Sequence, residues 1–507
     1  MQISSSKNFV KSRAGQCAAV LILGLIARLF GIASRPLWYD EAFSILFSEK
    51  GISAMLYGTL AATGAGTADV HPLGYYGLLW AWMRVFGESP VSVRMLSILA
   101  GLGVIAIVYL LTNELFNSGV AFAAGIIVAL DPFQVHYAQE IRMYSFMALW
   151  LSLATYAYWR ASQSSGWKWW LAFSIFAALA QYTQNLAAFY LVPLALWPLF
   201  TKNRKALKAV ILAGLFAMLL YLPWLIHLPA QFAKVSQAYW TAPPDGYRLF
   251  TLLLVFITNL PLPNSWLFAG LFIALFVISV CGWQTFRAAR QQNPSLTNGL
   301  WILYLSFAPP ILLFLFSQWK SVYIERALLP SGVMFCVWLA WAWSDTKLPK
   351  IIQGILAALL IIGFGMGLYQ HVTYTSFPYA PYKTLTQYLD TAKQTNDVVV
   401  HSNKLSMLPS VYYDRQLAQT FVGDPPGSSV DTLAPATQQV LGLKAEADIQ
   451  AATGDARRVW FILFKESNQE YIDAGKSMHP QLAWLMQNYS LLNEKDWGDL
   501  QVYLFSK

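Results

Sequence analysis

Apolar residues along this chain gather in runs of about 20 separated by short polar breaks, the length at which an α-helix crosses the hydrocarbon of a bilayer. Such runs lie at 14–34, 92–111, 119–135, 143–160, 167–183, 186–200, 207–226, 265–286, 299–318, 327–344 and 350–371, with breaks such as Ser164-Ser165-Gly166, Lys202-Asn203-Arg204-Lys205 and Asp345 to Lys350. They predict an all-α polytopic bundle of about 11 transmembrane helices. Two further apolar segments, 72–88 and 248–262, set the orientation of every later helix. If 72–88 crossed, the clusters Lys202/Arg204/Lys205/Lys208, Arg287/Arg290 and Lys347/Lys350 would lie outside, against the positive-inside rule. Read as interfacial or re-entrant helices, the two segments leave every cluster in the cytoplasm with Lys7, Lys11 and Arg13. The loops 35–91 and 319–326, the short loop around 136–142 and the segment 227–264 then share the external face.

Beyond Gln370 the pattern changes, and Lys, Asp, Gln and Ser interleave with short apolar runs. Asp397 to His401, Val459 to Phe464 and Leu500 to Phe505 read as strands, with helix patterns at 381–394 and 468–488. The expected division is a membrane domain over 1–371 and a small extracytoplasmic α/β domain over 372–507, joined through Tyr374 to Tyr382, where Pro378 and Pro381 oppose a continuing helix.

Composition fits that layout: 57% of the 507 residues are hydrophobic and 12% charged, too little charge to cover a soluble protein of this size. The net charge of +9 falls in short clusters between spans and forms no continuous basic face, so it reads as topology signal, with no nucleic acid as partner. Cys17, Cys281 and Cys336 lie in predicted spans with no metal or redox spacing, and no disulfide is expected. The first apolar run has a basic flank like a signal sequence, but it is too long and ends in Arg35-Pro36, so it reads as a retained helix.

Candidate chemistry gathers on the external face. Asp40 and Glu41 follow the first span in Trp38-Tyr39-Asp40-Glu41, and adjacent carboxylates at a bilayer surface are costly to dehydrate and usually functional. Their plain competitor is a helix start at 40–50, where acids complement the dipole. His71 precedes Pro72 and reads equally as a turn residue; Arg142, beside Gln139 and Glu140, reads equally as a snorkelling side chain; Arg94 reads as snorkelling; Arg28, inside the first span, either faces the bundle or snorkels. With Lys320 and Glu325-Arg326, these groups would suit a ligand charged at one end and greasy at the other, for which a lipid phosphate is the natural candidate. Asp40, Glu41 and His71 also offer weak ligands for a possible divalent metal ion. Trp and Tyr near span boundaries, Trp240 among them, read as interfacial belts.

The order of motifs resembles a known family. Asp40-Glu41 after the first span, His-Pro-Leu-Gly-Tyr-Tyr at 71–76, Phe86-Gly87-Glu88-Ser89 with Val93-Arg94-Met95-Leu96-Ser97, and Asp131-Pro132-Phe133 running into Gln139-Glu140-Ile141-Arg142-Met143-Tyr144 are similar to the GT-C glycosyltransferases, in particular bacterial relatives of protein O-mannosyltransferases and the lipid A aminoarabinose transferase. The likeness covers the membrane half and is strongest over 14–160. It implies inverting transfer of a sugar from a polyprenyl-phosphate donor to a hydroxyl acceptor, protein, lipid or envelope glycan, at the outer side of the cytoplasmic membrane. It also implies roles: Asp40 as the catalytic carboxylate, acting as base, with Glu41 as orienting partner or metal ligand, His71 near the donor phosphate, Glu140 and Tyr144 as substrate-binding positions, and Arg142 and Arg326 as phosphate clamps. A multi-pass transporter or flippase of an amphipathic substrate is the alternative, but the charges lie on one face and the halves lack the symmetry of broken helices.

Overall fold

The computed structural model describes residues 12–64, 66–164, 166–237, 241–344, 348–424 and 432–507; Lys7, Lys11, Ser165, Trp240, Asp345 and Lys347 lie outside them. Helices form in each apolar run. Six are long and apolar enough to cross a membrane: Pro90–Leu115, Arg204–Leu225, Asn264–Arg290, Leu296–Ser317, Glu325–Ser344 and Lys350–Thr373. A seventh candidate is the pair Ser118–Leu130 and Pro132–Ala138, bent by 58°. The others expected to span are short, as in Arg13–Leu29 and Trp167–Thr183 with 17 residues each, or long enough but diluted by Tyr, Trp and Ser, as in the 20-residue Tyr144–Gln163, so six or seven of the eleven are both long and apolar enough among the described residues. Gly74–Phe86 and Gly246–Thr258 have 13 residues each, about 20 Å at the helical rise and short of the ~30 Å hydrocarbon.

The outer helices expose apolar side chains, including Ile211, Leu212, Leu215 and Leu219 on one and Phe268 and Phe272 on another. Water does not tolerate so large a contiguous apolar surface and lipid does. The chain is an integral membrane protein.

The bend at Pro132 is written in the sequence. Pro132 lacks an N–H and suits the first position of a new helix, while Asp131 ends the preceding helix and accepts the Phe133 N–H at 3.2 Å as its cap. Carbonyls at a helix end need outside donors, and Arg28 supplies them, reaching Ala129 O at 3.0 Å and Val128 O at 3.3 Å. Arg28 therefore faces the bundle, 1% exposed, and holds the break that aims the loop 139–143 at the site.

After the last long helix the chain builds a six-stranded sheet. Strands are β1 (Ala62–Thr63) and β2 (Gly66–Thr67), a hairpin in the first large loop, then β3 (Val398–His401), β4 (Gln419–Val422), β5 (Ala445–Glu446), β6 (Arg458–Phe464), β7 (Ser490–Trp497) and β8 (Leu500–Ser506). The order is β5-β4-β3-β6-β8-β7, parallel through β6, with β8 antiparallel to β6 and to β7. The helix expected over 468–488 is two, Lys465–Asp473 and Pro480–Asn488, separated at Gly475, whose φ of +79 suits glycine, and at Pro480.

This C-terminal region lies over the first-loop helices. Lys404–Tyr413 packs on Tyr39–Ser48, and Pro435–Leu441 packs on Ile52–Leu60. Thr437 Oγ1 donates to Gly58 O at 2.9 Å, Tyr57 OH to Gln439 Oε1 at 3.0 Å, and Arg415 pairs with Glu49 at 2.6 Å and Glu88 at 3.1 Å. Gly58 permits the close approach, since a Cβ there would lie 2.8 Å from the Phe47 ring and 3.2 Å from Val440.

Candidate active site

Asp40 and Glu41 open the helix Tyr39–Ser48, and neighbouring residues on a helix point in different directions. The two carboxylates consequently part company. Asp40 turns to a cavity, where its Oδ2 accepts from Arg326 Nη1 at 2.7 Å and lies 3.6 Å from Arg142 Nε. Glu41 turns into the protein, 2% exposed. Its two oxygens take Arg94 Nη2 at 2.9 Å and Arg94 Nε at 3.2 Å, and Oε1 also accepts the Ile141 N–H at 3.2 Å. Glu41 thus lines neither of the two cavities described below, and the catalytic or metal-binding role expected for it does not fit: its oxygens are engaged by Arg94 and the Ile141 amide. Arg94 likewise does not snorkel; it is 2% exposed, and its Nη1 donates to Ile32 O at 2.8 Å and Arg35 O at 2.9 Å.

Burial opposes ionisation of Asp40, but the charges of Arg142 and Arg326, the hydrogen bond from Arg326 and the nearby His71 ring outweigh it and hold the carboxyl below its ordinary value. Arg142 is fixed from behind, donating to Tyr76 OH at 3.1 Å and Ser44 Oγ at 3.2 Å, and is 3% exposed rather than at a surface.

Two cavities meet here. The larger, about 460 Å³, is lined by Asp40, His71, Arg142, Tyr144 and Arg326, with Phe43, Tyr76 and Ile324 as apolar wall and Lys404, Leu405, Leu433 and Thr437 of the C-terminal region as roof. The smaller, about 170 Å³, takes in Glu140, Arg35, His136, His371, Asn259 and Gln370. Trp38, Arg326, Phe377 and Pro378 line both. Glu140 is therefore set apart from Asp40, His71, Arg142 and Tyr144, and shares its cavity with Arg326 alone of the expected site residues.

His71 Nδ1 lies 2.8 Å from Asp69 Oδ1, which leaves Nε2 as its available nitrogen. Burial opposes ionisation of Asp69, yet His71 and the backbone N–H groups of Val70 and His71 draw its carboxyl down to about 2. Asp69 was legible as a carboxylate two residues before the histidine; Lys404 and Thr437, more than 300 residues from Asp40, carry no sequence signal that links them to it. Among the described residues no group of three His, Cys, Asp or Glu gathers in metal-binding proximity, and Asp40, Glu41 and His71 do not fit a divalent-metal site because Glu41 faces away.

A ready-ionised carboxylate between two guanidiniums, beside an oriented imidazole and an aromatic wall, can accept a proton from a hydroxyl and hold an anionic group in the same space.

Comparison with known proteins agrees with the architecture. Residues 70–227 match the family model described as dolichyl-phosphate-mannose-protein mannosyltransferase, a stretch that holds His71, Arg94, Glu140, Arg142 and Tyr144 but begins after Asp40. YkcB of Bacillus subtilis (strain 168), which carries a provisional mannosyltransferase name, is 26% identical over 224 residues, 42% of this chain and 31% of its own length. ArnT from Cupriavidus metallidurans superposes with a TM-score of 0.64 in its apo structure, over 96% of this chain and 97% of its own, at 11% identity. Its structure bound to undecaprenyl phosphate gives 0.62 over 97% and 98%, also at 11% identity. The Archaeoglobus fulgidus oligosaccharyltransferase tethered to an acceptor peptide gives 0.55 over 90% and 70%, at 11% identity. The matched segment and the whole-chain likeness converge on one result: this chain is a membrane protein of the GT-C glycosyltransferase fold.

Proposed function

We propose that the chain is a glycosyltransferase that moves a sugar from a polyprenyl-phosphate donor to a hydroxyl acceptor, with inversion, in the larger cavity on the extracytoplasmic face of the cytoplasmic membrane. The observation that carries this is Asp40, a half-buried carboxylate on the cavity wall held between Arg142 and Arg326. As the acceptor oxygen attacks the anomeric carbon, its proton passes to Asp40. The bond to the phosphate breaks on the opposite face, and the negative charge that the departing phosphate gains is met by Arg326 and Arg142, with His71 on the wall of the same cavity. Support for the donor class comes from ArnT, whose solved structure holds undecaprenyl phosphate. The aromatic wall of Phe43 and Tyr76 suits the faces of a sugar or prenyl unit. Glu41 and Arg94 act as a brace behind the reaction centre.

The test is reconstitution of the purified protein with a panel of short-chain polyprenyl-phosphate sugars, with release of polyprenyl phosphate as the readout. Arg326→Gln is expected to raise the donor KM about tenfold or more, since a charge-assisted bond to phosphate is lost. An unchanged donor KM would remove Arg326 from phosphate binding.

Orientation is tested separately. A reporter fused after residue 380 is expected outside the cell, and cysteines placed at the exposed positions 203 and 291 are expected to react with a membrane-impermeant reagent only after the membrane is opened, because both positions adjoin basic clusters. Labelling of intact cells at 203 would reverse the proposed sidedness.

A further inference from the structure

The smaller chamber takes no part in the transfer step itself, yet it holds an unpartnered acid. Glu140 is 4% exposed, its Oε2 is buried without a hydrogen-bond partner, and it lines this chamber. A buried polar atom left unsatisfied in a polar cavity marks a place for water or a transferable proton. Resting on the glycosyltransferase reading, we propose that Glu140 and the chamber it faces are the proton exit of the active centre: the acceptor proton, once on Asp40, passes to the Glu140 carboxylate and leaves through water in the smaller chamber.

The balance of the step is simple. The new C–O bond forms, the sugar–phosphate C–O bond breaks with its electron pair going to the phosphate, and the hydroxyl proton comes to rest on Asp40. Asp40 must shed that proton before the next turnover. Arg142 and Arg326 favour its ionised form and so drive the proton off. Arg326 lines both chambers, and its charge is felt by Asp40 on one side and Glu140 on the other.

The surroundings of Glu140 suit a transient acceptor. Burial raises its carboxyl to about 7, with Arg326 opposing, Glu41 and Asp40 adding to the rise and Arg142 opposing again. A proton on Asp40 thus runs downhill to Glu140, and Glu140 can release it near neutral pH. Arg35 and the His136–His371 pair, whose Nδ1 atoms are 3.1 Å apart, face the same chamber. The phenols of Tyr137, Tyr144 and Tyr379 complete the ionisable groups around it. Gln370 and Tyr374, both partly exposed, form the chamber's outward side.

The experiment compares wild type, Glu140→Gln and Glu140→Asp in lipid discs, measuring transfer from a polyprenyl-phosphate sugar across about pH 5.5 to 9, with and without added formate or imidazole. Wild-type kcat is expected to fall as the pH drops through about 7, because Glu140 must be ionised to accept the proton. Glu140→Gln is expected to lower kcat about tenfold, lose that limb, leave donor and acceptor KM in place and recover rate with the small buffers. Glu140→Asp keeps a carboxyl, and is expected to retain a pH limb and most of the rate, which covers the case of a glutamine variant that does not fold. A wild-type profile in Glu140→Gln, or a loss that the buffers do not restore, overturns the relay. Absence of transfer by wild type from every donor would instead be the failure of the glycosyltransferase reading.

Discussion

Asp40→Asn is expected to lower sugar transfer by at least ~10²-fold while the protein still accumulates in the membrane, the range over which a general base contributes. Asparagine matches aspartate in shape, so the cavity wall and the contact from Arg326 survive, but an amide cannot take up the hydroxyl proton. The cost falls on charge: Arg142 and Arg326, now facing each other without the carboxylate, repel, and some loss of thermal stability accompanies the loss of rate. Membrane level and melting midpoint, measured beside transfer, separate the two effects. Transfer at the wild-type rate by a folded Asp40→Asn protein would end the proposed mechanism.

The second large effect belongs to the brace behind the site. Arg94→Met is expected to destabilise the protein by about 3–5 kcal/mol, because it strips the partner from a buried carboxylate. Glu41 and Arg94 are each 2% exposed, so solvent cannot replace what is lost. The change reaches further than one ion pair, since Arg94 also holds the carbonyls of Ile32 and Arg35, and Glu41 holds the Ile141 amide beside Arg142. A fall in the detergent-solubilised melting midpoint checks it, with Arg84→Met, an exposed helix-end cation, as the neutral comparison. A midpoint equal to wild type would show that the pair contributes nothing to folding.

Both residues also mark how far the sequence could be read. Runs of apolar residues located the helices because lipid and core both demand them, and the adjacent acids pointed to Asp40 because charge at a bilayer edge is costly. The division of labour between Asp40 and Glu41 was not legible, for it depends on the roughly 100° that separates neighbours on a helix and on what each then meets. Arg94 looked like a cation reaching for water because it lies near a helix start; only the fold brings Glu41 to it. Strand β7 escaped notice since Ser490–Trp497 is an exposed edge with no alternation, and β5 is two residues long. The roof of the cavity, from Lys404 and Thr437, is a long-range product of the chain's return, which local pattern cannot report.

Phe377 and Pro378, in the linker that leads to the sheet, wall both chambers. Any change in the size of these two adjoining side chains therefore alters the width of both compartments together, which ties the room available in one to the room available in the other.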